Sequence, residues 1–583
     1  MPAKLLELHF PLGGLNKAAS FQKQPPYTSP SLNNVRPTDT FLGRNRGGSR
    51  PGITKTFAAE LGSGNPVRLL ATVTYVPTGL SLTTIGLASA NGTFYKESSG
   101  NWASIGGNLK LYASGLVRSA ERAQKVYIAD YTTVAEGTDG AITGTTTFDS
   151  ATYADWTAVS GLNQYDFILD NITAATRHRI TTVAAGSLTL TDAGSNATGL
   201  TFRILRGPKI YDPATNALTL LWPTAGSHPL GCPIIWRFRD RICWAGDPLS
   251  PNNVFFSAVG APLDYDYSVA ASTFTRAFSF VASVGGSGNL GDPVTAGFNH
   301  SDGCCLIGCT SSLHIVKGDP ARNGSVQELS SEIGILGPAA WCRTPAGYTF
   351  FMSKDGLYVM APGCGSTPMA VSRPTIPNDL LAIDPTAYTV QMAYDIVDQG
   401  IHLFVTNVSA SAGTHYFIAV ETESGGGARA AFYPCTYPTS FEPTALFQRR
   451  DSSTGLSSVW LGGRDGYVRN HSDSQTTDDG TAITSVVMMG AMGFGGFDGL
   501  AKEVVGTLAA SSGSVTWSLH VGNTPEAAVA ASAFASGTWA AGLNAVARPR
   551  GRGGYWCLKL TSTARWGLER IEATIERLGR LRV

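Results

Sequence analysis

Charge is scarce in this chain. Asp, Glu, Lys and Arg supply only 15% of its 583 residues, with 43 basic against 42 acidic side chains. So sparse a charged surface predicts an exterior covered in large part by partners rather than by water. No stretch reaches 18 apolar residues, which excludes a transmembrane helix and predicts no stable membrane insertion. The opening MPAKLLELHF is too short of an apolar run to read as a secretory leader. Nine cysteines without regular spacing do not make a disulfide framework. Most lie in strand-like text (Cys243, Cys342, Cys557), where they read as small buried apolar residues of a protein assembled in a reducing cytoplasm. There is no GxSxG, no P-loop and no dinucleotide fingerprint leading into a helix, so the commonest catalytic and nucleotide-binding frameworks are excluded.

What the chain does hold is a repeated three-strand phrase. Short apolar runs (CCLIGC, LHIVK, GYTFFM, GLYVM) between Cys304 and Met360 are separated by turn pairs such as Ser311-Ser312 and Asp355-Gly356. Runs of five or six β-branched and aromatic residues bounded in this way are strands. The phrase recurs at Leu69–Ser98, Leu116–Tyr131, Pro233–Val259, Ala387–Thr422 and Thr444–Asn470. Asn91-Gly92, Asp355-Gly356 and Asp465-Gly466 each precede a short aromatic strand, and such pairs supply positive φ at little cost. Units of about 40–50 residues match the blade length of a β-propeller. The fold class expected is therefore all-β, a propeller of six or seven blades.

Two segments depart from the blade pattern. The Thr-, Ala- and Gly-rich text of 134–206 interrupts one unit and reads as a small inserted β-barrel or sandwich. From about Gly480 a second β-region begins, ending in GLERIEATIERL, which reads as an edge strand. The division expected is an extended N-terminal arm (1–60), a propeller (61–133 and 207–479), the insert (134–206) and a C-terminal β-domain (480–583).

Candidate chemistry is thin. His300, Cys304, Cys305, Cys309 and His314 form a metal-like HxxxCCxxxCxxxxH. Adjacent Cys304 and Cys305 point to opposite faces of a strand, so at most a subset converges on one ion. Asp264 and Asp266, two apart on one face, are the carboxylate pair a glycosidase would need. The run Ser472–Gly480 lacks the spacing of a calcium loop and reads as a solvated linker. These features predict no catalytic residue, no metal and no cofactor.

Two basic regions stand out. Between Val35 and Lys55, Arg36, Arg44, Arg46, Arg50 and Lys55 face a single acid, Asp39. Residues 548–583 carry nine basic side chains, Arg548, Arg550, Arg552 and Arg582 among them, against three glutamates. Arg36, Arg44, Arg46, Arg50, Arg548, Arg550 and Arg552 are the interface candidates, since arginine suits fixed contacts with carboxylates and phosphates.

The segments FPLGGLNK (Phe10–Lys17) and LNNVRPTDTFLGRNRGGSRPGITK (Leu32–Lys55) resemble the N-terminal signature of the nozzle, or tail tubular B-like, proteins of tailed phages. IVKGDPARNGSVQELSSEIGILGPAAW (Ile315–Trp341) is similar to their propeller core, and RGGYWCLKLTSTARWGLERIEATI (Arg552–Ile575) to their C-terminal β-domain. The resemblance implies a non-enzymatic virion protein, assembled in the host cytoplasm. It would form a homo-oligomeric ring, typically a hexamer, below a head-to-tail adaptor and beside tail fibre or needle proteins, with double-stranded DNA passing transiently through its channel. The alternative is a phage receptor-binding or glycan-cleaving tail β-protein.

Overall fold

Strands account for almost all regular structure in this protein. The computed structural model describes residues 4–580 apart from 78–80, 108, 163–166, 228, 271, 281–289, 423–427, 451–454 and 456; Arg582 lies outside the described residues. Among them the only α-helix is the six-residue Pro525–Ala530.

Six antiparallel sheets share one pattern, four strands in meander order, and a seventh opens with the same three-strand meander but has six strands. The first runs Val67–Tyr75, Thr83–Ala90, Thr93–Ser98 and Asn101–Ser104. Tight turns set its register: Asn91 and Gly92 both take positive φ, 47° and 73°, the geometry a two-residue hairpin requires. The later sheets open at Arg118–Arg122, Ile234–Phe238, Val294–Ser301, Trp341–Arg343, Tyr388–Asp395 and Pro443–Arg450.

Opening strands of successive sheets pack on one another, and the seventh packs back on the first. Between the fourth and fifth sheets the contact is a ring stack, Phe298 on Trp341 at 4.1 Å. Elsewhere the approach needs glycine. A Cβ on Gly297 would sit 2.4 Å from Trp236 of the preceding sheet, and one on Gly86 equally close to Trp460 across the first–seventh seam. The seventh sheet takes its fourth strand from the N-terminal part of the chain: Gly52–Lys55 pairs antiparallel with Val468–Ser472, His471 opposite Ile53.

Between the second and third strands of the second sheet the chain builds a closed six-stranded barrel from Thr133 to Arg206. It has its own apolar core around Phe148, Trp156 and Phe202. Arg203 ties it down, donating to Asp170 at 2.8 Å and to Asp247 beyond the barrel at 3.1 Å, with all three side chains nearly enclosed.

Two further sheets make a C-terminal sandwich whose core holds Trp517, Trp539, Trp556 and Trp566. Here the sequence expectation is corrected. GLERIEATIERL lies in Leu568–Arg580, an interior strand flanked by Lys4–Leu8 on one side and Phe497–Leu508 on the other. Its alternation of Ile571 and Ala573 inward with glutamates outward describes one buried face. A neighbour on each edge comes from chain some 70 and some 570 residues away, which local pattern does not reveal.

The N-terminal arm is corrected as well. Its Pro and Gly content suggested an extended reach toward another subunit, but it is stitched into this chain. Lys4–Leu8 and Leu32–Asn33 each add an edge strand to a sandwich sheet, and Gly52–Lys55 lies inside the seventh sheet between Val468–Ser472 and Thr477–Asp478.

Candidate functional site

Tracing the interface arginines from the backbone outward divides them into two groups. Arg36 and Arg50 are enclosed within the chain, 1% and 2% exposed. Arg36 lies over the Phe417 ring at 4.0 Å and donates to Cys435 Sγ at 3.1 Å. Arg50 pairs with Asp478. As surface contacts for another subunit these two are corrected. A basic, Pro-rich segment reads as solvated in sequence, yet its bends here are packed between the sixth and seventh sheets and the sandwich. Arg46 is mostly covered, donating to Asp39 at 2.9 Å and to Glu569. Burial alone would raise the Asp39 carboxyl. Hydrogen bonds from Arg46 and from the backbone N–H groups of Leu42, Phe41 and Arg44 outweigh it and hold the group below the usual range.

Arg44, Arg548, Arg550 and Arg552 remain exposed. Arg548 meets Glu503 at 3.1 Å and Arg552 meets Asp498 at 2.7 Å. Exposed pairs of this kind contribute little to stability and are easily exchanged for contacts with a neighbour.

The metal-like cluster disperses. Cys304 is bonded to Cys364, a single bridge where the spacing gave no sign of disulfides; the other seven are free and buried. Cys304 and Cys305 do face different cores. His300 spans Thr349 Oγ1 (2.8 Å) and the Gly363 carbonyl (3.1 Å). Only Cys309 and His314 converge, with Asp292, and that carboxylate is already occupied by Ser311 and Ser312.

Asp264 and Asp266 do not form a reactive pair. Asp264 accepts from the Asp266 backbone N–H, and Asp266 caps Ser268, whose hydroxyl and N–H hold its carboxyl below the usual range. The run 472–480 is no solvated linker: Asp478 is buried against Arg50, and Asp479 pairs with Arg469 at 2.8 Å.

Composition gave no sign that the sandwich exposes several large apolar side chains. Leu5, Phe534, Leu543, Val546 and Leu578 are all well exposed there, Leu543 to 79%. Such residues sit in strand-like text and read as core until the sheet's outer face is known. Beside them a groove of about 930 Å³ runs between the N-terminal segment and the sandwich, lined by Leu6, Phe21, Tyr27, Met489, Met492 and Trp556. The strand Lys4–Leu8 forms one edge of its sheet.

No protein-family model matches this chain, and no curated protein is similar to it. Solved structures give distant likenesses. The extracellular domain of a hybrid two-component system of B. thetaiotaomicron is 9% identical, at a TM-score of 0.37, over 85% of this chain and 49% of that one. This chain thus spans about half the length of that domain. Kluyveromyces lactis Hsv2p is 9% identical over 63% of this chain and 97% of its own, at 0.26. The N-terminal domain of Nup159 is 10% identical over 45% and 83%, at 0.25. At these scores no functional argument passes to this chain.

Proposed function

We propose that the seven sheets are blades of one β-propeller closed by Gly52–Lys55, and that the chain is a structural subunit of a ring at the distal end of a phage tail. The ring is a nozzle that conducts and gates DNA during ejection. The observation that carries this reading is that the sandwich leaves five large apolar side chains exposed, Leu5, Phe534, Leu543, Val546 and Leu578, with the exposed ion pairs of Arg548 and Arg552 on the same module. Isolated exposed leucines are ordinary on a monomer; several on one module that also carries exchangeable ion pairs suit a surface that meets a second copy. Each such leucine, once covered, contributes about 1.5–3 kcal/mol, repeated at every interface of a closed ring.

Two further observations agree. The segments that resemble the nozzle proteins are those that weld the module junctions: a Cβ on Gly14 would meet the Phe432 backbone at 2.7 Å, and one on Gly48 the Trp566 carbonyl at 2.2 Å. The near-neutral charge suits a channel that must release DNA, since dense phosphate contacts would hold it. The partners under this reading are five further copies, the adaptor above, and fibre or needle proteins. The work is mechanical and calls for no cofactor.

Electron microscopy and light scattering on the purified chain, with and without its adaptor, test the reading. Closed rings with an opening of about 20 Å or more, enough for duplex DNA, are expected, and Leu543→Glu with Phe534→Glu should leave folded monomers. Wild-type protein that stays monomeric with the adaptor present overturns it.

A further inference from the structure

Where the sixth and seventh sheets meet, three ligand-type side chains converge. Asp395 ends the strand Tyr388–Asp395, His402 lies on its hairpin partner Gly400–Asn407, and His471 lies on Val468–Ser472, the strand that receives the closing segment Gly52–Lys55. One ligand atom from each lies within 4.8 Å of the others. None of this enters the ring interface proposed above.

Asp395 Oδ1 accepts from the Val397 N–H at 2.9 Å and the two imidazoles stack at 4.6 Å, but the other polar atoms of the group are incompletely satisfied. Asp395 Oδ2 and His402 Nε2 are 3.4 Å apart, long for a hydrogen bond between them. Two ligands of a tetrahedral ion at 2.0–2.1 Å stand about 3.4 Å apart. His402 is 0% exposed, yet its Nδ1 has no partner among the described residues. His471 engages Tyr437 Oη with Nε2 at 3.1 Å, and its Nδ1 is likewise unpartnered. Asp398, in the turn between the first two strands of the sixth sheet, has an enclosed Oδ2 without a partner. Each such group costs free energy where it stands unless something completes it. A cleft of 90 Å³ lined by Asp395, Asp398, His471, Ser472 and Asp473 leads in from the surface.

Charge does not bar a cation. Arg50 is neutralised by Asp478. Arg36 shares its field with Asp398 and Asp473, and Asp473 also faces Arg565.

We propose that Asp395, His402 and His471 bind a divalent transition-metal ion, zinc by the chemistry of the donor set, as a clamp between the last two sheets. Two imidazoles and one carboxylate are the ligands zinc accepts, with water or Asp398 in the fourth position. Because His471 stacks on His402 at 4.6 Å and 16°, closing the set on one ion calls on the partly exposed His471 ring to turn out of that stack. The ion joins the neighbouring sheet to the strand on which the N-terminal segment docks, so binding resists opening at the seam.

The full chain is stripped with chelator and titrated with Zn²⁺ by calorimetry, and with Co²⁺ by visible absorption. One ion per chain is expected, with tetrahedral cobalt bands and a melting temperature that rises with free Zn²⁺. His471→Gln should weaken binding about 100-fold or more and abolish the thermal shift, while its metal-free melting temperature stays near that of wild type. Asp395→Asn should act the same way. His314→Gln, at the separate Asp292–Cys309 group, should bind as wild type does. No saturable binding, or binding that survives His471→Gln, overturns the proposal. Loss with His314→Gln alone would move the ion to the other group and equally overturn it. Because the readout is metal on the isolated chain, it is independent of whether rings form.

Discussion

Arg50 and Asp478, 428 residues apart, meet inside the protein as a two-pronged ion pair: Nη1 donates to Oδ1 at 2.8 Å and Nη2 to Oδ2. Nε donates to Asn34 Oδ1 at 2.9 Å, and Nη2 also reaches the Thr436 carbonyl at 2.9 Å. The pair bolts the N-terminal segment to Thr477–Asp478, the strand beside Gly52–Lys55 in the seventh sheet. Removing one partner leaves a buried charge uncompensated, so Arg50→Met or Asp478→Leu alone should each cost about 3–5 kcal/mol. The double variant Arg50→Met/Asp478→Leu should cost much less than the two single changes together. Urea unfolding of the four proteins measures the coupling; additive losses would mean the two charges do not interact.

Gly43 and Gly47 offer a matched pair. Both take positive φ, 65° and 74°, but a Cβ on Gly43 meets nothing within 4 Å, whereas one on Gly47 would fall 2.0 Å from the Phe10 ring. Gly43→Ala should therefore cost only the left-handed strain, about 1–2 kcal/mol. Gly47→Ala should add the expulsion of Phe10 from its place beside Trp566, for a total of about 3 kcal/mol or more. Equal losses on thermal unfolding would show that Phe10 is not seated there.

Strands were legible in this sequence because their cause is local. The short apolar runs Leu313–Lys317 and Thr349–Ser353, and the Asn91-Gly92 turn, depend on neighbours a few residues away. Partners at long range were not. Nothing near Arg36 announces Phe417, nothing near Arg50 announces Asp478, and the 60 residues between Cys304 and Cys364 hide their bond. The arm's Pro and Gly content fits an extended arm, yet each bend follows a packed surface. The Asp395–His402–His471 group escaped for the same reason: two of its members share a hairpin, but the third comes from the next sheet.

His300 carries a pH signature. Burial pushes its imidazole below the ordinary histidine range, and Nε2–H donating to the Gly363 carbonyl selects the neutral tautomer. Between the native value and about 6.5 the unfolded chain binds a proton that the native state does not. The contribution of His300 is therefore complete above about pH 6.5 and declines as pH falls below it. His300→Gln should lower stability at pH 7.5 and flatten the decline toward pH 5. Parallel pH–stability curves for the two proteins would exclude the assignment.

The bond between Cys304 and Cys364 joins the second strand of the fourth sheet to the segment after the third strand of the fifth. Closing a loop of this length should contribute about 4 kcal/mol in the chain-entropy account, through restriction of the unfolded chain. Denatured, unreduced protein should therefore titrate seven thiols, against nine after reduction. The reduced wild type and Cys364→Ser should melt together, both below the oxidised protein. If reduction lowers the melting temperature of Cys364→Ser as much as that of the wild type, some other bond is being broken. Nine thiols before reduction would mean the two cysteines sit in contact as thiols, leaving the stacked Phe298 and Trp341 to hold these sheets together.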